Sequence, residues 1–234
     1  TGSYALMAGV LCGYPMGPKT AADFLSEGKI SAAEARYLLA ISAWPSPMFL
    51  AGYLASLLPP GISFPKVLLC VYLPTLLTAA LARAIYRVPK SRRRKQNQSQ
   101  AVKISEQITS PSFDEILMDC LEIISKIGGY LMIFSIFSAF VTAFSPEDFF
   151  LCPYFLGLIE MTTGIREMAS SGLSPLLMGA GMVGAAVFGG LSGIFQVSAV
   201  IQKNAGLSIR HYVLWKLVHL LLSTSLFILL SLAE

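Results

Sequence analysis

The stretch Phe149 to Met168, FFLCPYFLGLIEMTTGIREM, decides how this chain folds. It is apolar on both flanks and interrupted in the middle by Gly157, Glu160, Thr162, Thr163 and Gly164. Each arm is too short to cross about 30 Å of hydrocarbon at about 1.5 Å per residue, so the stretch reads as a re-entrant hairpin. Tyr4 to Leu25, interrupted by GYPMG at 13 to 17, reads the same way. Irregular backbone at membrane depth is tolerated only under cover of protein or a water-filled cavity, so the two tips are expected to meet inside the protein.

The rest of the chain agrees with a membrane setting. Of 234 residues, 55% are hydrophobic and only 13% charged, and the mean hydropathy is +0.67. Those values exclude disorder, coiled coil and a disulfide scaffold, and an ordinary soluble domain carries about a quarter charged residues. Residues 87 to 126 hold 13 of the 30 charged side chains, which leaves the remainder nearly uncharged. Phe64 to Tyr86 and Tyr212 to Leu232 read as intact spanning helices, and Ile127 to Phe144 as the end of a longer helix that starts amphipathic. Ala33 to Leu58 and Ser174 to Ile201 are long enough to span but are broken by WPSP at 44 to 47 and FGGLSG at 188 to 193.

These elements recur at an offset of 144: Gly13 aligns with Gly157, Gly28 with Gly172, Pro45 to Pro47 with Gly189 to Leu191, and 64–86 with 208–230. The expected fold is an all-α polytopic membrane protein with an inverted repeat of re-entrant hairpin, broken helix and intact helix. Its first unit covers 1–86 (hairpin 1–26, broken helix 33–58, helix 64–86), followed by a basic linker, 87–111, and a connecting helix, 112–146. The second unit covers 147–234 (hairpin 147–170, broken helix 174–202, helix 208–232). The positive-inside rule puts the linker, with Arg92, Arg93, Arg94 and Lys95, in the cytoplasm, where the cluster touches anionic lipid. Glu147 and Asp148 then lie outside and the loop with Lys203 and Arg210 inside, so the units have opposite topology, as in inverted-repeat secondary transporters.

Such a fold holds its solute at the midplane. Half-helix N-termini there point partial positive charge at anions, while unwound carbonyls take cations. The candidate lining is Tyr14, Pro15, Met16, Gly17 and Lys19 from the first tip, Ser46 from the first break, Glu160, Thr162 and Thr163 from the second tip, and Ser192 and Gln196 from the second break. Ionisable groups at depth are costly, which singles out Glu160 and Lys19, expected to face each other across the site. Lys19 reads equally as a side chain snorkelling to the cytoplasmic interface, and the hydroxyls and Gln196 equally as caps or interhelical bonds.

Enzyme chemistry has little support. His211 and His219 lack partners at ligand spacing; Cys12, Cys70, Cys120 and Cys152 read as apolar fillers; and no phosphate loop, GxSxG or HExxH is present. No catalytic residue, cofactor or metal site is expected. Nucleic-acid binding is not indicated, because the basic cluster has no interleaved aromatics.

The runs GYPMGPKTAADFLSEGKIS, GLIEMTTGI and FGGLSGIFQ resemble the YlbJ-type (SpoVV) sporulation integral membrane proteins of the nucleoside-recognition or Gate-domain superfamily, over nearly the whole chain. That superfamily is similar to concentrative nucleoside transporters. The resemblance implies a sporulation-stage transporter of dipicolinic acid, a small anionic solute, in a bacterial cell membrane or the outer forespore membrane, assembled as a homo-oligomer. Its motifs fall on Gly13, Tyr14, Pro15, Gly17 and Lys19, and on Gly157, Glu160, Thr162 and Gly164. Two departures stand out: Pro18 replaces the usual Ala, and AWPSP replaces versions with Asn. By the repeat offset, a further membrane segment is expected before Thr1. Dipicolinate is planar and doubly negative, so Tyr14 or Trp44 is expected to stack on its ring and Lys19 to meet its charge. The alternatives are a carrier of nucleosides or other small polar metabolites, and a non-transporting Gate-type assembly subunit.

Overall fold

Four helix starts in this chain are marked by a capping Ser, followed either by Pro or, three residues on, by Glu. Ser31 with Glu34 and Ser112 with Glu115 form reciprocal capping boxes, each side chain satisfying an orphan N–H of the other's turn. Ser46 and Ser174 cap helices whose next residues, Pro47 and Pro175, are pre-set for a first helical position and have no N–H to lose.

A computed structural model describes residues 2–87, 112–146, 149–201 and 207–233. The lipid-binding cluster expected at Arg92 to Lys95, together with Glu147, Asp148 and Lys203, lies outside the described residues. The first hairpin is α1 (Gly2–Cys12) and α2 (Met16–Ser26). It is followed by α3 (Ala32–Ile41), an extended break at 42–46, and α4 (Pro47–Leu57). Next come α5 (Phe64–Tyr86) and the long α6 (Phe113–Phe144). The second hairpin is α7 (Cys152–Ile159) and α8 (Met161–Ser170), followed by α9 (Pro175–Phe188), α10 (Gly190–Ile201) and α11 (Ile209–Leu232). The second break is far tighter than the first. It is the single residue Gly189, whose φ of 80° is open to glycine and strained for other residues.

Hairpin, broken helix and intact helix thus occur twice in the same order, and their packing is reciprocal. The C-terminal turn of α4 in the first unit rests on α8 of the second hairpin, while α10 of the second unit rests on α2 of the first. Two apolar clusters result. One joins Leu50 and Leu54 of α4 to Ile165 and Met168 of α8 and Met182 of α9. The other joins Ala22 of α2 and Leu39 of α3 to Val197 of α10 and Tyr212 of α11. α6 leans on α10 through Tyr130 and Phe134 against Phe195, with ring centroids 6.0 and 5.2 Å apart.

Among the described residues, four helical segments are long and apolar enough to cross a membrane: α5, α6, the α9–α10 pair and α11. α5, α6 and α11 turn Leu76, Ile133, Ile136, Phe140, Leu221 and Leu229 outward, a continuous apolar exterior that suits hydrocarbon and not water. The chain is an all-α, multi-pass membrane protein. Of the four cysteines read as apolar fillers, only Cys70 is buried; Cys12 and Cys120 are exposed on that outer surface.

Candidate functional site

The first tip is built to touch other elements. Gly9 and Gly17 bring the hairpin so close to the first break that a Cβ on either would stand 1.9 or 2.2 Å from the Ser42 carbonyl oxygen. Between them the chain turns at Gly13, Tyr14 and Pro15, through a cis Tyr14–Pro15 bond. The Tyr14 hydroxyl donates to the Val187 carbonyl at 2.6 Å, with Ala186 O at 3.3 Å. Those carbonyls lie at the C-terminal end of α9, where the helix has no further N–H to offer them. The tyrosine ring covers Gly189, where a Cβ would lie 3.2 Å from Cζ.

The second tip closes on itself. Glu160 is fully buried, and its carboxylate accepts four bonds: from the Thr162 N–H at 3.0 Å and hydroxyl at 2.5 Å, and from the Thr163 N–H at 2.7 Å and hydroxyl at 2.9 Å. It is the N-cap of α8, placed where the helix dipole favours a negative charge. The two arms of this hairpin cross at Gly157 and Gly164, where a Cβ on Gly164 would lie 2.1 Å from the Gly157 Cα. The tip touches the second break as well, since a Cβ on Gly190 would stand 2.9 Å from Ile159 O. Tyr53 of α4 donates to Thr162 O at 2.7 Å.

Both tips therefore meet at the second break, one on each side of Gly189 and Gly190. Other expected site residues are distributed around this junction. Ser46 caps α4 through the Phe49 N–H at 3.1 Å, and buried Gln196 donates to buried Ser192 at 3.1 Å. Lys19 does not face Glu160. Its ammonium pairs with Asp23 at 2.8 Å and with Asp119 of α6 at 3.1 Å, near the start of the connecting helix, because the side chain follows α2 away from the tip.

The cation at the junction is one that sequence reasoning passed over. Lys216 of α11 is 2% exposed. It donates to Ala43 O of the first break at 2.9 Å and to the Tyr14 hydroxyl at 2.5 Å, and it lies 4.3 Å from the centre of the Tyr14 ring. Among the described residues it has no ion-pair partner. Tyr72 of α5 donates to the neighbouring Pro45 O at 2.9 Å, so two helices share the carbonyls that the break sets free. The signal was available in the repeat: at the offset of 144, Lys216 aligns with Tyr72. Its depth was also legible, seven residues into α11 being about 10 Å along the axis. Further along α11, His219 Nε2 meets Val71 O at 3.0 Å. Two buried hydroxyls in this region, Ser42 Oγ and Tyr212 Oη, have no hydrogen-bond partner.

Beside the second tip, a groove of about 520 Å³ runs between α6 and α8, lined by Tyr53, Ser135, Thr142, Thr162, Thr163 and Arg166, among others. That volume lies within the usual range for small-molecule sites.

No family model matches this chain, and neither a curated protein nor a solved structure does.

Proposed function

We propose that this chain is a secondary transporter of a small anionic solute, with its two units related by inverted topology, and that the solute is dipicolinate, moved across a bacterial membrane during sporulation. The observation that carries the reading is Lys216, a buried lysine without a carboxylate partner among the described residues, set where the first tip meets both helix breaks. An uncompensated charge at that depth costs several kcal/mol by principle and is characteristic of a solute or ion pathway. An ammonium has three N–H donors, and Ala43 O and Tyr14 occupy two of them. We assign the third to a solute carboxylate. Tyr14 lies under the ammonium, and we assign stacking on a planar solute to Trp44 of the first break. The hydroxyl-lined groove lies beside α8, at the second tip.

The test is uptake of radiolabelled dipicolinate by proteoliposomes. Saturable uptake is expected, unaffected by excess nucleoside, and lowered about tenfold or more by Lys216→Ala, each tenfold being about 1.4 kcal/mol. Competition by nucleosides would turn the reading to a nucleoside carrier. Absence of flux for every solute tried would turn it to a Gate-type assembly subunit.

A further inference from the structure

Lys216 has a second property, independent of what the solute is. In transporters built on broken helices, unwound carbonyls and the C-terminal ends of half-helices are the groups that coordinate a coupling cation. In this chain several of those groups are already engaged by protein donors. α3 ends at Ile41, and Ala43 O just beyond it accepts from Lys216 at 2.9 Å. α9 ends at Phe188, and its carbonyls Ala186 O and Val187 O accept from Tyr14, whose hydroxyl in turn accepts from Lys216. The ammonium meets two neutral oxygens and one aromatic face, with no carboxylate in ion-pair reach among the described residues. That is the environment a hard monovalent cation receives from an unwound helix, with a side-chain cation at its centre.

We infer that Lys216 is a resident cation, standing where this architecture would otherwise recruit Na+ from solution, so that the protein neither requires nor binds Na+ at the first break. A tethered amine cannot leave with the solute as a bound Na+ can, so the transport cycle is uncoupled from Na+. This consequence for flux rests on the transport reading above; the occupancy of the cation position does not.

The experiment is thermal unfolding of the purified full-length chain in detergent, followed by loss of helical circular dichroism, in NaCl or choline chloride at equal ionic strength. Wild type is expected to melt at the same temperature in both salts; a saturable rise with Na+ would overturn the inference. Lys216→Ala vacates the position and leaves Ala43 O and the Tyr14 hydroxyl to receive a metal ion. Its melting temperature is expected to drop in choline chloride and to recover by several degrees as NaCl is added, to saturation. A variant that melts like wild type, is indifferent to Na+, or fails to fold in both salts would overturn the inference. In proteoliposomes, wild-type uptake is expected to be equal with Na+ or choline outside. Should no flux be found at all, the transport reading fails while the melting comparison still decides the cation position.

Discussion

The two hairpin tips occupy equivalent places in the two units and solve the same problem in opposite ways. The second tip is self-sufficient: Glu160 satisfies the N-terminus of its own second arm, and Gly157 and Gly164 let its own arms cross. The first tip is dependent. α2 has no side-chain cap, its glycines serve contact with the first break, and its tyrosine reaches the second break and Lys216. A buried charge that is paired locally stiffens one element, whereas a buried charge paired through distant carbonyls ties several elements together. The first tip is therefore the place where the hairpin is tied to both breaks.

The largest effect that would break this contrast is at Gly164. Gly164→Ala forces a Cβ into the Gly157 backbone, which no side-chain adjustment relieves, and the expected cost is about 3 kcal/mol or more. Little folded protein should be recovered on gel filtration, and normal recovery would mean the arms do not cross as described. Glu160→Ala comes next. It strips the acceptor from two N–H groups and two hydroxyls in a buried site, for an expected loss of about 3 kcal/mol in unfolding free energy, with Glu160→Gln intermediate because one carboxamide oxygen remains. Equal losses for Ala and Gln would show that the charge, and not the acceptor geometry, is what matters.

Tyr14→Phe sharpens the other side of the comparison. It leaves Val187 O unpaired and takes one acceptor from Lys216, for an expected loss of about 1 to 3 kcal/mol, and it should lower solute flux more than Glu160→Gln does at matched protein level. If the two variants transport equally, the tips do not differ in function. The smallest effect is expected at Lys19. Its pairing with Asp119 joins a largely covered ammonium to a side chain that is 54% exposed, so Lys19→Ala should cost about 1 kcal/mol or less and change uptake by less than about twofold. A loss of uptake with intact stability would return Lys19 to the solute site.

Much of the fold was legible because membrane depth punishes irregular backbone. Pro45, Pro47, Gly189 and the GYPMG and EMTTG runs could only be breaks or tips, and the helices end there. The role of Glu160 was half legible: an acid in an apolar stretch marks a special position, but its use as a helix cap depends on whether the chain turns before or after it. Lys216 was not read as a site residue, since a lysine in a spanning helix has no periodicity that names its partner. Its acceptors are Ala43 O and the Tyr14 hydroxyl, in the opposite unit of the chain. Lys19 reads equally as a solute contact and as a side chain snorkelling to the interface, and α2 carries it towards α6, where it pairs with a half-exposed Asp119.

The same separation along the chain bears on how the protein is made. Ala43 O waits for a donor 173 residues later, and Tyr14 for carbonyls 172 and 173 residues later. A chain leaving the ribosome inserts its first hairpin and first broken helix long before α9 and α11 exist. Until the last helix arrives, that first unit holds unpaired carbonyls and an unanchored tyrosine in the bilayer, where such groups are costly. Truncations that remove α11 should therefore leave an N-terminal half that membrane quality-control proteases degrade, while supplying α9 to α11 as a separate polypeptide should protect it.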